Sequence, residues 1–358
     1  MKRPFALALL LAVGCGAPPE EGRAPESNCL NLKLQDNGFS TAKPARVSLF
    51  FTVDTCDGEP VAQLTADKFR LLEDSAQVSA FESQQRIRPR AQDMRMYTLL
   101  LLDLSGSILR SGDYPRLREA ADAFLDRMFA HDPGMHRVGI FAFDGRKELT
   151  QVVGFTGERA VLEAGLDSLE VSECSVSADC AAFVDRRTCA GWRCVDDSTN
   201  LYGAVLNGTS AVEAAVASNP DIPHRQGALV VFTDGTDQAA RVSRDAAVDA
   251  VNDTRARVFT VGLGGEIDKD ALEDFGKDGF FTAQSADTLS ESFGEVATRL
   301  TSLAQRHYVL EYCSPKRSGK HSLEVIASLE RGETTLTGSL TANFDATGFE
   351  SGCDLSAP

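Results

Sequence analysis

Nowhere does the chain run to about 18 consecutive apolar residues, the length a helix needs to cross a bilayer, so no permanent helical span is expected. Basic charge is also short: 36 lysines and arginines face 52 aspartates and glutamates, a formal net charge of −16. That balance argues against nucleic acid and anionic lipid head groups as partners. Histidine is scarce, and His131, His136, His224, His307 and His321 fall into no metal-ligand spacing; each reads as a polar surface residue. H-E-x-x-H and G-x-S-x-G are both missing, which removes two common hydrolase signatures. No base is placed by sequence beside a serine. Gly262-Leu263-Gly264-Gly265 lacks the full dinucleotide fingerprint and a lysine, and reads as a turn. An enzyme is not expected.

What is present begins at the N-terminus. Lys2 and Arg3 precede a short apolar run, Phe5 to Val13, that ends in Ala12-Val13-Gly14-Cys15. A charged start, a short apolar stretch and small residues are the marks of an export signal. The small residues before Cys15 resemble a bacterial lipobox, although Ala12 stands where leucine is commoner. The expectation is removal of residues 1–14, a lipid on Cys15, and anchoring to the cell envelope at the outer membrane or cell surface. Residues 16–28 hold three prolines and four charges and no leucine, valine or aromatic, so 15–28 reads as a tether.

Nine cysteines fit an oxidising compartment. With Cys15 lipidated, Cys29, Cys56, Cys174, Cys180, Cys189, Cys194, Cys313 and Cys353 remain for disulfides, with the pairing left open. The alternative, zinc in the 174–194 cluster, lacks a C-x2-C pair and any histidine between the cysteines.

At 358 residues the chain is long enough for about two domains. Residues 29–92 read as β structure: Arg46 to Asp54 is rich in β-formers, and Asp57-Gly58-Glu59-Pro60 is a turn signal. From Met96 the pattern changes. Met96 to Leu102 and Ala228 to Phe232 are continuous apolar runs, as in parallel strands buried on both faces. Helical spacing separates them, at Leu117, Phe124 and Met128 and again at Leu201, Val205 and Val212. Leu289, Phe293, Val296, Leu300 and Leu303 form a later helical stripe. Strands alternating with helices over 93–304 imply an α/β fold with a doubly wound, mostly parallel sheet. Residues 305–353 return to β patterning and are expected to pair with 29–92 as sandwich-like flanking segments, with the α/β domain inserted between them.

Three short motifs fall where such a sheet places ligands, at the carboxyl ends of central strands. The first buried strand ends in Asp103-Leu104-Ser105-Gly106-Ser107. The second ends in Thr233-Asp234-Gly235. Between them Ser198-Thr199-Asn200 opens a helix. Asp103, Ser105, Ser107, Thr199 and Asp234 are all oxygen donors, and few of them are charged. A hard cation such as Mg²⁺ takes about six oxygens with one or two carboxylates. Such a donor set leaves the ion electrophilic toward a carboxylate from outside.

The set resembles the metal-ion-dependent adhesion site of von Willebrand factor type A domains, with its D-x-S-x-S, a threonine before a helix, and an aspartate in a T-D-G turn. That resemblance implies a metal, Mg²⁺ with Mn²⁺ or Ca²⁺ as alternatives, at those five residues. It also implies a protein ligand that presents an Asp or Glu carboxylate, in adhesion or complex assembly. The alternative is a structural or regulatory envelope protein whose metal only stabilises the fold. Residues 171–197 depart from the family's pattern. They carry four cysteines and the sole tryptophan, Trp192, and read as a disulfide-stapled insertion on the rim of the metal site, with Trp192 as an exposed anchor or packed on the staple.

Overall fold

A computed structural model describes residues 29–88, 93–130 and 133–355. The leader, Cys15, the tether and His131 lie outside the described residues. Among the described residues no helix is long and apolar enough to cross a membrane.

The chain opens with β1 (Leu30–Ala42), β2 (Arg46–Thr55), β3 (Phe69–Glu73), β4 (Ala76–Gln77) and β5 (Arg86–Arg88). It then enters an α/β unit through β6 (Met94–Asp103), α1 (Gly106–Ser111), α2 (Tyr114–Phe129), β7 (His136–Phe143), β8 (Thr150–Thr156) and α3 (Arg159–Ser168). A small hairpin, β9 (Thr188–Ala190) and β10 (Arg193–Val195), lies within the cysteine-rich insertion. The α/β unit continues with α4 (Leu201–Ala217), β11 (His224–Thr233), α5 (Arg244–Asp253), β12 (Arg257–Leu263), α6 (Lys269–Phe275), β13 (Gly279–Ala283) and α7 (Leu289–Gln305). The chain closes with β14 (His307–Cys313), β15 (Lys320–Arg331) and β16 (Thr334–Asp345).

The large sheet has the order β13-β12-β11-β6-β7-β8, parallel throughout except for the β7–β8 pair. Successive side chains on a strand point to opposite faces. On β6, Met96, Leu100 and Leu102 pack with Leu117 and Phe124 of α2 and Phe293 and Leu300 of α7. Leu99 and Leu101 pack the other way, with Leu201 and Val205 of α4, Val251 of α5 and Leu272 of α6. Helices cover both faces, which is why the two central strands read as unbroken apolar runs. From β6 the chain winds outward to β7 and β8, then crosses back to β11 and winds outward the other way. The switch point lies between β6 and β11.

Helix limits follow local chemistry. The Ser243 side chain accepts from the Ala246 amide at the start of α5, and Asp268 accepts from Ala271 at the start of α6. Gly276 follows the last residue of α6.

Two antiparallel four-stranded sheets, β1-β2-β14-β5 and β16-β15-β3-β4, form the second unit. Each mixes residues from before and after the α/β insertion: β2 pairs with β14, and β3 with β15. Leu49, Phe51, Tyr308 and Leu310 of one sheet share a core with Phe69, Leu71, Leu323 and Val325 of the other. Cys29–Cys56 and Cys313–Cys353 are disulfides in this sandwich.

The junction between the units accounts for one departure from expectation. His136 and His307 are buried rather than on the surface, and His224 stacks on Phe50 with ring centroids 3.8 Å apart. Phe50 leaves the sandwich core and packs with the α/β core instead. Arg306 places Nη1 3.0 Å from both carboxylate oxygens of Asp54. At the interface His224 and His307 both stack on Phe50, because an imidazole can pack as a ring and still hydrogen-bond, whereas His136 is buried within the α/β unit beside Phe129.

Candidate metal centre

Asp103 is the last residue of β6 and is fully buried. Its Oδ1 accepts the Ser105 amide at 2.9 Å, and its Oδ2 accepts the Thr233 hydroxyl at 2.6 Å. The first bond folds the chain sharply after the strand; the second ties β6 to the neighbouring end of β11. Ser105 is the N-cap of α1, and the helix start turns Ser107 back alongside it, with the hydroxyls 3.2 Å apart. The Ser107 hydroxyl donates to Asp234 Oδ1 at 2.9 Å. Four of the five residues singled out in the sequence thus form one connected set at the switch point.

Thr199, the fifth, is buried just before α4. Its carbonyl accepts the Gln238 and Ala239 amides at 2.8 and 3.0 Å, which binds this segment to the loop after β11. No direct hydrogen bond joins its hydroxyl to the other four side chains among the described residues.

Burial, followed by the charge of Asp234, pushes the Asp103 carboxyl up to about 7. Burial also raises Asp234. Among the described residues no lysine, arginine or histidine pairs with either. Two acids drawn together without a cation, flanked by two converging hydroxyls, fit a divalent ion better than a structural ion pair. Ser107 is exposed and Asp234 partly so, and the set therefore opens to solvent.

Several supporting residues were not among the five candidate ligands. Thr233 holds Asp103 and also accepts the Gly235 amide, shaping the T-D-G turn. Its position beside Asp234 was the available signal. Asp144, at the end of β7, is 2 % exposed; it accepts from Arg146 and from the Asp196 amide, and its carbonyl accepts the Asn200 amide. Asp237 Oδ1 accepts the Tyr202 amide in the first turn of α4. These acids fix the Thr199 segment from two sides. Gly106 leaves room for the Asp197–Arg110 ion pair that lies over it, which a Cβ there would displace.

The insertion at 171–197 is stapled by Cys174–Cys189 and Cys180–Cys194. Cys174, Cys180 and Cys194 place their sulfurs together because the two disulfides lie side by side, which removes zinc from this cluster. Trp192 is not an exposed anchor. Its indole Nε1 donates to the Leu169 carbonyl at 2.9 Å, and its ring meets Tyr114 edge-on at 5.4 Å. Ala190 and Val195 pack on Leu109 of α1. The insertion is docked on the helix that follows the metal loop, because its apolar residues have no core of their own to enter.

No protein-family model matches the chain, and no curated protein matches it in sequence. Solved structures do. Proximal thread matrix protein 1 from the mussel byssus is 15% identical over 64% of this chain and 50% of its own, with a TM-score of 0.42. The chain thus spans about half that protein's length, and a further structure of it is described with zinc in its MIDAS motif. A von Willebrand factor type A protein from Catenulispora acidiphila is 10% identical over 91% of this chain and 75% of its own, with a TM-score of 0.44. The vWF domain of the type V pili tip protein Mfa5 from Porphyromonas gingivalis is 10% identical over 60% of this chain and 97% of its own, with a TM-score of 0.41. These structures are similar to the chain in fold alone, and they include the von Willebrand factor type A domains that its Asp103-Leu104-Ser105-Gly106-Ser107 loop resembles.

Proposed function

We propose that this chain is an exported cell-envelope protein that binds a protein ligand through a divalent cation held at Asp103, Ser105, Ser107, Thr199 and Asp234. One observation carries the reading: buried Asp103 and half-buried Asp234, neither paired with a lysine, arginine or histidine among the described residues, are linked through the Ser105 amide and the Ser105 and Ser107 hydroxyls, and the set opens to solvent at Ser107. A site serving stability alone has no need of that opening. When bound, the ion supplies a Lewis-acidic position for a ligand carboxylate. Asp103 supplies the enclosed charge, and Thr233 and the Ser105 amide hold it in one orientation. Ser105 and Ser107 present neutral oxygens, so the ion keeps its appetite for an outside anion. The four disulfides support an oxidising compartment, and the Lys2-to-Cys15 pattern supports export with a lipid anchor at Cys15. Binding without turnover is the reading proposed for this site, because a bound ion would engage the Ser107 hydroxyl and the Asp234 carboxylate as ligands.

Two experiments test it. Calorimetry with Mg²⁺, Mn²⁺, Ca²⁺ and Zn²⁺ should show binding to the wild type and none to Asp103→Ala; equal affinities would remove the metal assignment. Envelope proteins captured with Mg²⁺ should be released by EDTA while the protein stays folded. Fractionation of Cys15→Ser as soluble or unprocessed protein supports the anchor, and membrane partitioning like the wild type removes it.

A further inference from the structure

At the N-terminal ends of the central strands, away from the metal loop, the sheet carries a row of cations. On β6, Arg95 and Tyr97 continue the face on which Leu99 and Leu101 pack under helices. Tyr97 is in register with Arg137 of β7, and Arg95 with Arg225 of β11. In-register residues of parallel strands share a face, so three arginines stand around one tyrosine. Each donates to a backbone carbonyl: Arg95 Nη1 to Met94 at 3.4 Å, Arg137 Nη1 to His136 at 2.7 Å and Arg225 Nη1 to Asn219 at 2.6 Å. Neither Arg137 nor Arg225 forms an ion pair among the described residues. Arg137 Nε and Nη2 have no hydrogen-bond partner among the described residues and are not sealed from solvent. Burial, then the charge of Arg137, lowers the Arg95 guanidinium, so the two cations act on each other.

Arg95, Tyr97 and Arg137 line one cavity of about 350 Å³ beside the C-terminal end of α4. Pockets for small ligands span roughly 300–1,000 Å³. No aspartate or glutamate lines this one. Tyr97 is 4 % exposed, and its hydroxyl, unpartnered among the described residues yet not sealed, opens into the cavity. Capping of α4 does not explain the arginines: the Ser218 amide and hydroxyl already take its last carbonyls, and Arg225 takes that of Asn219. We propose that the cavity binds a small phosphate monoester, with its phosphoryl group between Arg95 and Arg137 and accepting from the Tyr97 hydroxyl. Two guanidiniums that repel each other, in a wall without a carboxylate, call for an anion between them. A phosphate monoester brings about −1.5 to −2 charges near neutral pH and three acceptor oxygens. A carboxylate or a sulfate ester brings one charge. Guanidinium forks match phosphate oxygens in pairs. Phe155 and Ile222 supply the apolar part of the wall, where the esterified group would lie. The net charge of −16 disfavours extended polyanions, which leaves a small ester as the occupant.

Calorimetric titration of the purified protein with phenyl phosphate, phenyl sulfate, benzoate and inorganic phosphate tests this, at fixed ionic strength and with EDTA to keep metal out of the loop at Asp103. Phenyl phosphate should bind about tenfold tighter than phenyl sulfate or benzoate, and tighter than inorganic phosphate. Arg95→Gln and Arg137→Gln should each weaken it by about tenfold or more, with circular dichroism unchanged. Tyr97→Phe, which keeps the buried ring, should weaken it by about threefold. Arg299→Gln, at an exposed position on α7 outside this cavity, should leave it unchanged. If the arginine variants fail to fold, Tyr97→Phe carries the comparison. The proposal is overturned if the wild type binds no phenyl phosphate, if phenyl sulfate, benzoate or inorganic phosphate binds as tightly, if Arg299→Gln weakens binding as much as Arg137→Gln, or if folded Arg137→Gln binds like the wild type.

Discussion

Asp103 concentrates the chemistry of the metal loop in one carboxyl group. In the metal-free chain its carboxyl is raised from 3.8 to about 7, so between those values the folded chain holds a proton that the unfolded chain has released. The sign follows: stability from this group is present at low pH and is lost as pH rises toward 7. Melting temperature of the EDTA-treated protein should therefore fall across that window, and Asp103→Asn should flatten the fall. Added Mg²⁺ should act in the opposite sense. The ion needs the ionised acid, so its affinity should drop about tenfold per pH unit below about 7, as read by titration at several pH values. An unchanged affinity from pH 5 to pH 8 would remove Asp103 as the anionic ligand. Thr199→Ala should reduce ligand capture more than metal affinity, because water readily replaces a neutral hydroxyl on the ion.

The element that most alters expectation is the insertion. A passive decoration could be exchanged for a short Gly-Ser linker without loss, and the sequence allows that reading. Docking of Trp192 on Tyr114, and of Ala190 and Val195 on Leu109, opposes it. Trp192→Ala should cost roughly 2 kcal/mol in urea unfolding, below the ~3–5 kcal/mol of a fully buried aromatic because the ring is only partly covered. Replacement of residues 174–194 should lower stability further and disturb α1, whose first turn contains Ser107. A linker variant with wild-type stability would show that these contacts contribute nothing.

The whole molecule depends on strands from both ends of the chain. Without β14 to β16, β2 keeps only β1 and β3 keeps only the two-residue β4, and Phe69 and Leu71 lose the core they share with Leu323 and Val325. A chain ending at residue 305 should show a protease-sensitive N-terminal segment while its α/β unit keeps metal affinity. The Cys313–Cys353 bridge joins residues 40 apart. Chain entropy alone puts its contribution at about 4 kcal/mol, to be checked by unfolding the Cys313→Ser, Cys353→Ser double variant.

Much of the fold could be read before any coordinates. The buried runs at Met96–Leu102 and Ala228–Phe232 and the stripe from Leu289 to Leu303 carry the periods of strand and helix directly, because each residue's burial is set by its own element. Asp103, Ser105, Ser107 and Asp234 were legible for the same reason: turn chemistry at strand ends is local. Other features depend on residues distant in the chain. The T-D-G turn marks Thr233 without saying that it clamps Asp103, and nothing near Asp144 announces that it braces Asn200. The spacing of eight cysteines does not say which two sulfurs meet. Helix α3 was not singled out, since Leu162 and Leu166 are too short a stripe to separate from background. Local sequence decides which atoms a segment offers, through backbone preference and hydrophobic period. Which of those atoms end within hydrogen-bonding reach, and which side chains are sealed from water, is decided only when the sheet has brought β6 beside β11 and the two chain ends have closed the sandwich.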